Sequence, residues 1–520
     1  MKKLRAGPPQ ENAGARAGLG ASVPLARPVR IVEPQETGLD PQDWDEVRAQ
    51  GHRMLDDMLD HMQGLRDGPA WRAPPSDARA RFRAALPTAP GALAETYESF
   101  RNDVLPFGSG NAHPGFMGWV QGAGSAVGML AEMLAAGLNA NLGGRDHMPI
   151  EVERQVLAWV REMFGFPAGA SGLFVTGTSQ ANFLAVLIAR TRALGVEARR
   201  AGLGLNGARL VAYASKAVHA CVPRALDMAG IGADGLRLIA VDADHRMDLE
   251  ALRTAIATDR ALGLTPFLVV GTAGTVDVGA VDDLHGLADI AAAEGVSFHV
   301  DGALGALAVL SPELAGKVAG IERCDSLAFD FHKWGHVPYD AGYLLVRDGG
   351  LHKATFANPA AYLARTDRGL AGGDWWPCDY GPDLSRGFRA LKTWFTLKTY
   401  GADALGASMA ANCALARALA ARVDAEPELE RLAPVALNIV CFRYRKGASD
   451  AMNAAIVADL QEAGAVAPSL TTLGGRTAIR AAIVNHRTRG EDIDRLVDGV
   501  LAHGRAALQA LARDARSGEA

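Results

Sequence analysis

Between about Ser171 and Val346 short apolar runs alternate with helical patterns, which predicts an α/β protein built on a mostly parallel sheet with helices on both faces. Three observations carry this expectation. Seven runs read as strands of one large sheet: Leu173-Phe174-Val175, Leu210-Val211-Ala212, Leu236 to Val241, Phe267 to Val270, Phe298-His299-Val300, Leu327 to Phe329 and Tyr343 to Val346. The first is followed at once by a helical pattern from Gln180 to Leu194. Past about residue 390 the pattern changes, with strand-like Ile439 to Tyr444 and Thr477 to Val484 set among helices near Ala451 to Ala463 and Glu491 to Ala512, which predicts a smaller α+β domain.

The elements follow in order. Residues 1–36 are rich in Gly, Ala, Pro and Arg and read as a disordered tail, without the apolar stretch of a secretory signal. From Asp40 to about Met62, Trp44, Val47, Met54, Leu55, Met58, Leu59 and Met62 recur at helical spacing, giving an amphipathic helix that needs a surface to cover, one that a second subunit could supply. After the Pro74-Pro75 stretch a second helix and a His113-Pro114-Gly115-Phe116 turn lead to Gly124 to Asn139, whose small residues suit close helix packing. The expected division is a helical segment over 37–115, a large domain over 116–390 and a small domain over 391–520.

Composition excludes several classes. With 520 residues and 49% hydrophobic content the chain can bury a large core, and a net charge of -5 with scattered Lys and Arg gives no stripe for nucleic acid or an anionic membrane. No stretch of about 20 uninterrupted apolar residues predicts a membrane span. The five cysteines, Cys221, Cys324, Cys378, Cys413 and Cys441, lie far apart without metal-ligand spacing, so reduced thiols in a cytoplasmic protein and no metal are expected.

The residues that carry chemistry fall at strand ends. Phe331-His332-Lys333-Trp334 follows one strand and Val300-Asp301-Gly302-Ala303 closes another, at the edge where an open parallel sheet presents its ligands. A lysine there can form a Schiff base with pyridoxal 5'-phosphate (PLP), and an aspartate can keep the pyridine nitrogen protonated; a helix cap and a surface loop are the plainer alternatives. Thr176-Gly177-Thr178-Ser179-Gln180, between a strand and a helix, offers free amides and hydroxyls to a phosphate, or merely caps the helix. His219 can lie on a pyridine face or be an ordinary partly buried histidine, and Thr272 can donate a hydroxyl or simply sit in a turn.

Read in order, these stretches resemble the group II PLP-dependent amino-acid decarboxylases of fold type I, the family that includes aromatic-L-amino-acid and glutamate decarboxylases. The most specific piece is Asp325-Ser326-Leu327-Ala328-Phe329-Asp330-Phe331-His332-Lys333-Trp334; His113-Pro114, His299 to Ala303, Ser385 to Lys392 and Ile479-Arg480 to Asn485 match in the same order. The resemblance implies Lys333 as the Schiff-base lysine, Asp301 as the pyridinium partner and His219 as the stacked ring. It implies that Thr178, Ser179 and His332 serve the phosphate, with Thr272 and Ala303 lining the ring. Asp330 stands where animal aromatic decarboxylases carry Asn, and a carboxylate near a phosphate needs its own donors or a shared proton. Tyr362 falls in a stretch resembling a mobile catalytic loop and is the expected proton donor; relatives that form aldehydes look typically phenylalanine there. Burial beside the cofactor would push the Lys333 pKa down. For substrate, His113, Phe116, Trp119, Arg145 and His147 are candidates. Arg145 or His147 could grip an acidic side chain, or pair with Asp146 or Glu151 at the surface. The family's breadth puts an aromatic amino acid first, with acidic or other polar amino acids next. Another fold-type-I lyase or transferase, or a non-catalytic PLP-binding homologue, is the alternative. A homodimer with its active site at the interface is also implied.

Overall fold

The computed structural model describes residues 38–204, 209–358 and 364–517, so the tail expected over 1–36 lies outside the described residues. The described residues fall into two compact units, divided between His52 and Arg53. In the first, the Asp43 carboxylate accepts the amides of Asp45 (2.9 Å) and Glu46 (3.0 Å), capping the helix Trp44–Gln63. This is the amphipathic helix of the sequence pattern, and none of its residues is fully buried.

The second unit holds two sheets. After the short β1 (Phe116–Met117) come β2 (Ser171–Val175), β3 (Leu210–Ser215), β4 (Leu236–Ile239), β5 (Thr265–Thr272), β6 (Ser297–Asp301), β7 (Ser326–Asp330) and β8 (Gly342–Val346). The last seven form one sheet in the order β2-β8-β7-β6-β5-β3-β4. Only β8 runs against its neighbours, β2 and β7; the other pairings are parallel. Each predicted run lies on one of these strands, although Val241 falls past β4 and instead bridges Met247. Strands covered on both faces read as continuous apolar runs, and β7 and β8 are buried along their whole length. One face packs Leu184, Ala185 and Ile188 of the helix Thr178–Leu194 against Leu173, Val175 and Leu344. The other carries an aromatic cluster of Phe174, Phe329, Phe331 and Tyr343, with Phe174 edge-on to Tyr343 at 4.9 Å between ring centres.

The smaller sheet is β1-β11-β12-β10-β9, using β9 (Leu429–Arg431), β10 (Ile439–Tyr444), β11 (Ala467–Leu473) and β12 (Arg476–Ala482). Its β1 comes from the stretch that the sequence reading assigned to the large domain and pairs in parallel with β11, Phe116 opposite Ala467. Leu419 and Val423 of the helix Ala402–Ala425 pack with Ile456, Leu460, Leu496 and Val500 over this sheet. Among the described residues Ala402–Ala425 is the one helix long and apolar enough to cross a membrane, and its apolar face is spent on this core.

The site is set by strand register. Thr272 of β5 lies opposite Asp301 of β6, which lies beside Ala328 of β7, so three parallel strands deliver their carboxyl ends to one edge.

Candidate active site

A cavity of about 410 Å³ opens at that edge, within the size range of small-molecule sites. Lys333 sits on its wall, in the connection between β7 and β8. Two glycines fix this connection: a Cβ at Gly122 would stand 2.1 Å from the His332 carbonyl oxygen, and one at Gly342 would stand 2.3 Å from the Gly177 Cα. Backbone thus packs directly on backbone, drawing the lysine segment and the Thr176–Thr178 turn together.

Lys333 Nζ lies 2.9 Å from Asp330 Oδ2. Burial alone would lower the lysine, but the charge and hydrogen bond of Asp330, helped by Asp301, outweigh it and hold the ammonium above its ordinary value. In the chain without cofactor, the carboxylate three residues away at the end of β7 thus outweighs burial, the one effect that the sequence reading counted.

Asp301, buried at the end of β6, is the target of a directed chain of hydrogen bonds. Asn182 Nδ2 donates to its Oδ2 at 2.9 Å, and the Ala303 amide donates to its Oδ1 at 3.1 Å. With its amide nitrogen committed, Asn182 turns its Oδ1 to His299 Nε2, 2.8 Å away, so that nitrogen carries the proton. His299 Nδ1 is then left to accept from the Ser326 hydroxyl at 2.8 Å. Burial pushes His299 down to about 4, so the ring is neutral and this tautomer stands. Every proton in the chain points toward the carboxylate, which keeps Asp301 a hydrogen-bond acceptor.

At the other end of the cavity, the helix Thr178–Leu194 begins. The Thr178 amide donates to Asp330 Oδ1 at 2.8 Å, while the buried Thr178 hydroxyl has no partner. Ser179 is exposed on the same wall. His332 Nδ1 accepts the Ala341 amide at 2.9 Å, leaving its Nε2 facing Asp330 Oδ1 at 3.7 Å. Burial lowers the His332 pKa against the pull of Asp330.

Of the other sequence candidates, His219, Thr272 and Ala303 all line the cavity. His219 is exposed, and its Nδ1 accepts the Cys221 amide. Trp119 also lines it, 58% exposed and packed beside Phe116. Phe116 and His113 are buried away from the lining, His113 accepting the Gly115 amide. Arg145 and His147 do not reach the cavity of this chain: the Arg145 guanidinium lies over the Trp376 ring at 4.5 Å, pairing with neither Asp146 nor Glu151, and His147 precedes the helix Met148–Met163. Tyr362 lies outside the described residues.

Two contributors were not read as site residues. Asn182 is four residues past Thr178, hence on the same helix face and turned to the sheet; a polar residue on an otherwise apolar face was the available signal. Arg480 of β12 reaches the lining from the smaller sheet. It is buried, and its hydrogen bonds go to the carbonyls of Gly118, Val276 and Asp277 and the Ser469 hydroxyl, none to a carboxylate. The guanidinium thus sits at the cavity without a direct hydrogen bond to any carboxylate, with burial lowering its pKa against the pull of Asp277.

An amine on one wall, a buried carboxylate with donors aimed at it, and a helix start with an unsatisfied hydroxyl suit the aldehyde, the ring nitrogen and the phosphate of PLP respectively. Fold and cavity define a PLP enzyme of fold type I. The chain belongs to the family of the pyridoxal-dependent decarboxylase conserved domain, whose model matches residues 75–445. It is 32% identical to the aromatic-L-amino-acid decarboxylase of Bacillus atrophaeus over 86% of this chain and 93% of that one. It is equally 32% identical to the L-2,4-diaminobutyrate decarboxylase of Rhizobium meliloti, over 75% and 77% respectively. The solved structure of Oryza sativa TDC with PLP and tryptamine superposes with a TM-score of 0.82 at 26% identity, covering 90% of this chain and all of that one. The protein is accordingly a PLP-dependent amino-acid carboxy-lyase.

Proposed function

We propose that the enzyme converts an aromatic L-amino acid to its amine and carbon dioxide. The observation that carries the choice is the charge inventory of the cavity. A diamino acid needs a carboxylate for its second ammonium, and the lining carboxylates are Asp301 and Asp330, both already engaged. An acidic side chain needs a second cation beyond the one that meets the α-carboxylate, and among the described lining residues Arg480 is the one arginine or lysine besides Lys333. Trp119, aromatic and half open to the cavity mouth, favours a flat apolar side chain. The similarity to the Bacillus aromatic decarboxylase supports the same reading.

PLP, when bound, supplies an electron sink for the pair left behind when carbon dioxide departs. Asp301, held as an acceptor by Asn182, would face the pyridine nitrogen and favour its protonated form. Arg480 attracts the carboxylate of the incoming amino acid. Lys333 Nζ would hold the cofactor's aldehyde and exchange protons there, and His219 on the same lining would meet its ring. Tyr362 gives its hydroxyl proton to the α-carbon. We further propose that two chains form the working unit, because no residue of the amphipathic helix Trp44–Gln63 is fully buried within one chain and Trp44 and Leu59 stay exposed.

The test is turnover of the PLP-loaded protein on a panel of aromatic, acidic and diamino acids, with carbon dioxide and product both measured. Amines from aromatic substrates are expected. Turnover confined to acidic or diamino acids overturns the substrate assignment, and aldehyde as the main product overturns the assignment of Tyr362. Tyr362→Phe is expected to divert product toward aldehyde. A monomer by light scattering at micromolar concentration refutes the paired working unit.

A further inference from the structure

The stretch from Thr272 to Asp282 leaves β5, lines the cavity with Gly274 and Val276 and folds back on itself. The Gly274 and Thr275 amides both donate to the Ala280 carbonyl, and the Ala280 amide donates to the Thr275 hydroxyl at 3.0 Å. The tip of this strap is held by the smaller sheet. Thr471 of β11 donates its hydroxyl to Asp277 Oδ1 at 2.6 Å, and Arg480 of β12 donates through Nε and Nη2 to the Val276 carbonyl. With Nη1 given to the Gly118 carbonyl and the Ser469 hydroxyl, four of the five N–H groups of Arg480 are engaged within the protein. The fifth, on Nη2, has no partner among the described residues, and the strap decides where it points.

Asp282 holds the base of the strap. It is buried; its Oδ2 accepts the Thr272 amide at 2.8 Å and its Oδ1 the Met247 amide at 2.7 Å, while its own amide donates to the Thr272 carbonyl at 3.0 Å. The charged groups that act on it come from the turn ahead of the helix Leu249–Ala261. Asp242 repels it, and Arg246 attracts it while pairing with Asp242 and Asp244. Asp283 instead accepts the Gly286 amide at the start of the helix Leu284–Glu294. Among the described residues no cation touches Asp282, and burial pushes it up to about 6. A buried carboxylate held by peptide amides is a high-energy arrangement with no neutral substitute: asparagine offers one oxygen to two amides and sets an N–H against the other.

We propose that Asp282 is a positioning residue for the substrate: by fixing the strap it aims the free N–H of Arg480, and the grip on the α-carboxylate depends on its charge. The inference rests on the assignment of Arg480 to that carboxylate. Protonation of Asp282 puts an O–H where an amide donor already points, so the grip weakens as pH falls through about 6. The amino acid's own carboxylate and ammonium keep their charges over that interval.

The test is steady-state turnover of the PLP-loaded protein on the best substrate of the panel, for wild type, Asp282→Asn, Arg480→Gln and the double variant. Asp282→Asn is expected to raise KM about fivefold or more with kcat within about twofold, and to add less than about twofold to KM once Arg480→Gln is present. Binding of the substrate's methyl ester, which has no carboxylate charge, is read from the absorbance of the bound PLP and should change less than about twofold. In wild type KM should rise about threefold or more from pH 7 to pH 5, and in Asp282→Asn that rise should be absent. An unchanged KM in Asp282→Asn, an equal increase in both backgrounds, or a weakened ester overturns the proposal. If Asp282→Asn does not fold, a wild-type KM that stays flat from pH 7 to pH 5 overturns it. If Arg480→Gln leaves KM unchanged, the carboxylate assignment falls and this inference with it. A raised KM in Arg480→Gln beside an unchanged one in Asp282→Asn overturns this inference alone.

Discussion

Replacing Asn182 with leucine, close in volume but unable to hydrogen-bond, cuts the chain of donors that ends on Asp301. Three contacts go at once: the 2.9 Å bond to Asp301, the 2.8 Å bond from His299 and the 3.1 Å contact to Cys221. A hydrogen bond to a charged group contributes about 1.5–3 kcal/mol. Since the Ala303 amide still holds Oδ1, the carboxylate weakens and does not swing free. At about 1.4 kcal/mol per factor of ten, that energy predicts a loss of roughly ten- to hundredfold, divided between PLP affinity and kcat. The His299 N–H is orphaned in the core, which separately lowers stability by about 1–3 kcal/mol. The assays are titration of the unloaded protein with PLP by absorbance, kcat on the best substrate, and the melting temperature. A variant with a lowered melting temperature but wild-type PLP affinity and kcat would show that the chain braces the core only. The account of how Asp301 is held as an acceptor would then be refuted.

Arg480→Gln removes the guanidinium from the cavity lining and is expected to raise KM at least tenfold with a smaller change in kcat; unchanged KM would show that this guanidinium serves the backbone carbonyls alone. Arg386→Met breaks a fully buried pair with Glu153 (2.6 and 3.1 Å), leaving that carboxylate unpaired. A loss of about 3–5 kcal/mol in denaturant unfolding is expected, and a loss under 1 kcal/mol would contradict it. Burial pushes His299 and His486 down to about 4 and His336 and His352 to about 3. Because these folded values lie below the unfolded value of about 6.5, the unfolded chain takes up protons first. The stability contributed by neutral histidines is therefore complete above pH 6.5 and lost as pH falls toward 4. The melting temperature should drop steadily from pH 6.5 to 4.5, and a flat profile over that interval would refute this.

The large sheet was legible because its strands are covered on both faces and spell themselves out as apolar runs, and Lys333 and Asp301 because the ends of such strands are where chemistry collects. What escaped depends on contacts between distant parts of the chain. Asn182 looks like one polar residue in a helix until His299 and Asp301 are seen on either side of it, 117 and 119 positions away. Arg480 belongs to the smaller sheet and reaches the cavity only because that sheet is folded back against the large one. The hold of Asp330 on Lys333 escaped because burial is visible in composition, whereas the direction in which Asp330 points is not. Arg145 shows the opposite error: a cation in a promising stretch found its partner in the ring of Trp376.

Gly122 and Gly342 leave no room for side chains where the lysine segment meets its neighbours. The seat for the coenzyme is thus moulded from main chain, which most substitutions elsewhere leave untouched. The rim, by contrast, is made of replaceable side chains such as Trp119 and Gln121. A lineage built this way can retool what enters the cleft without disturbing what grips the vitamin, so a shift of substrate requires few coordinated changes. A designer seeking new amines from this scaffold should vary the rim and leave the two glycines alone.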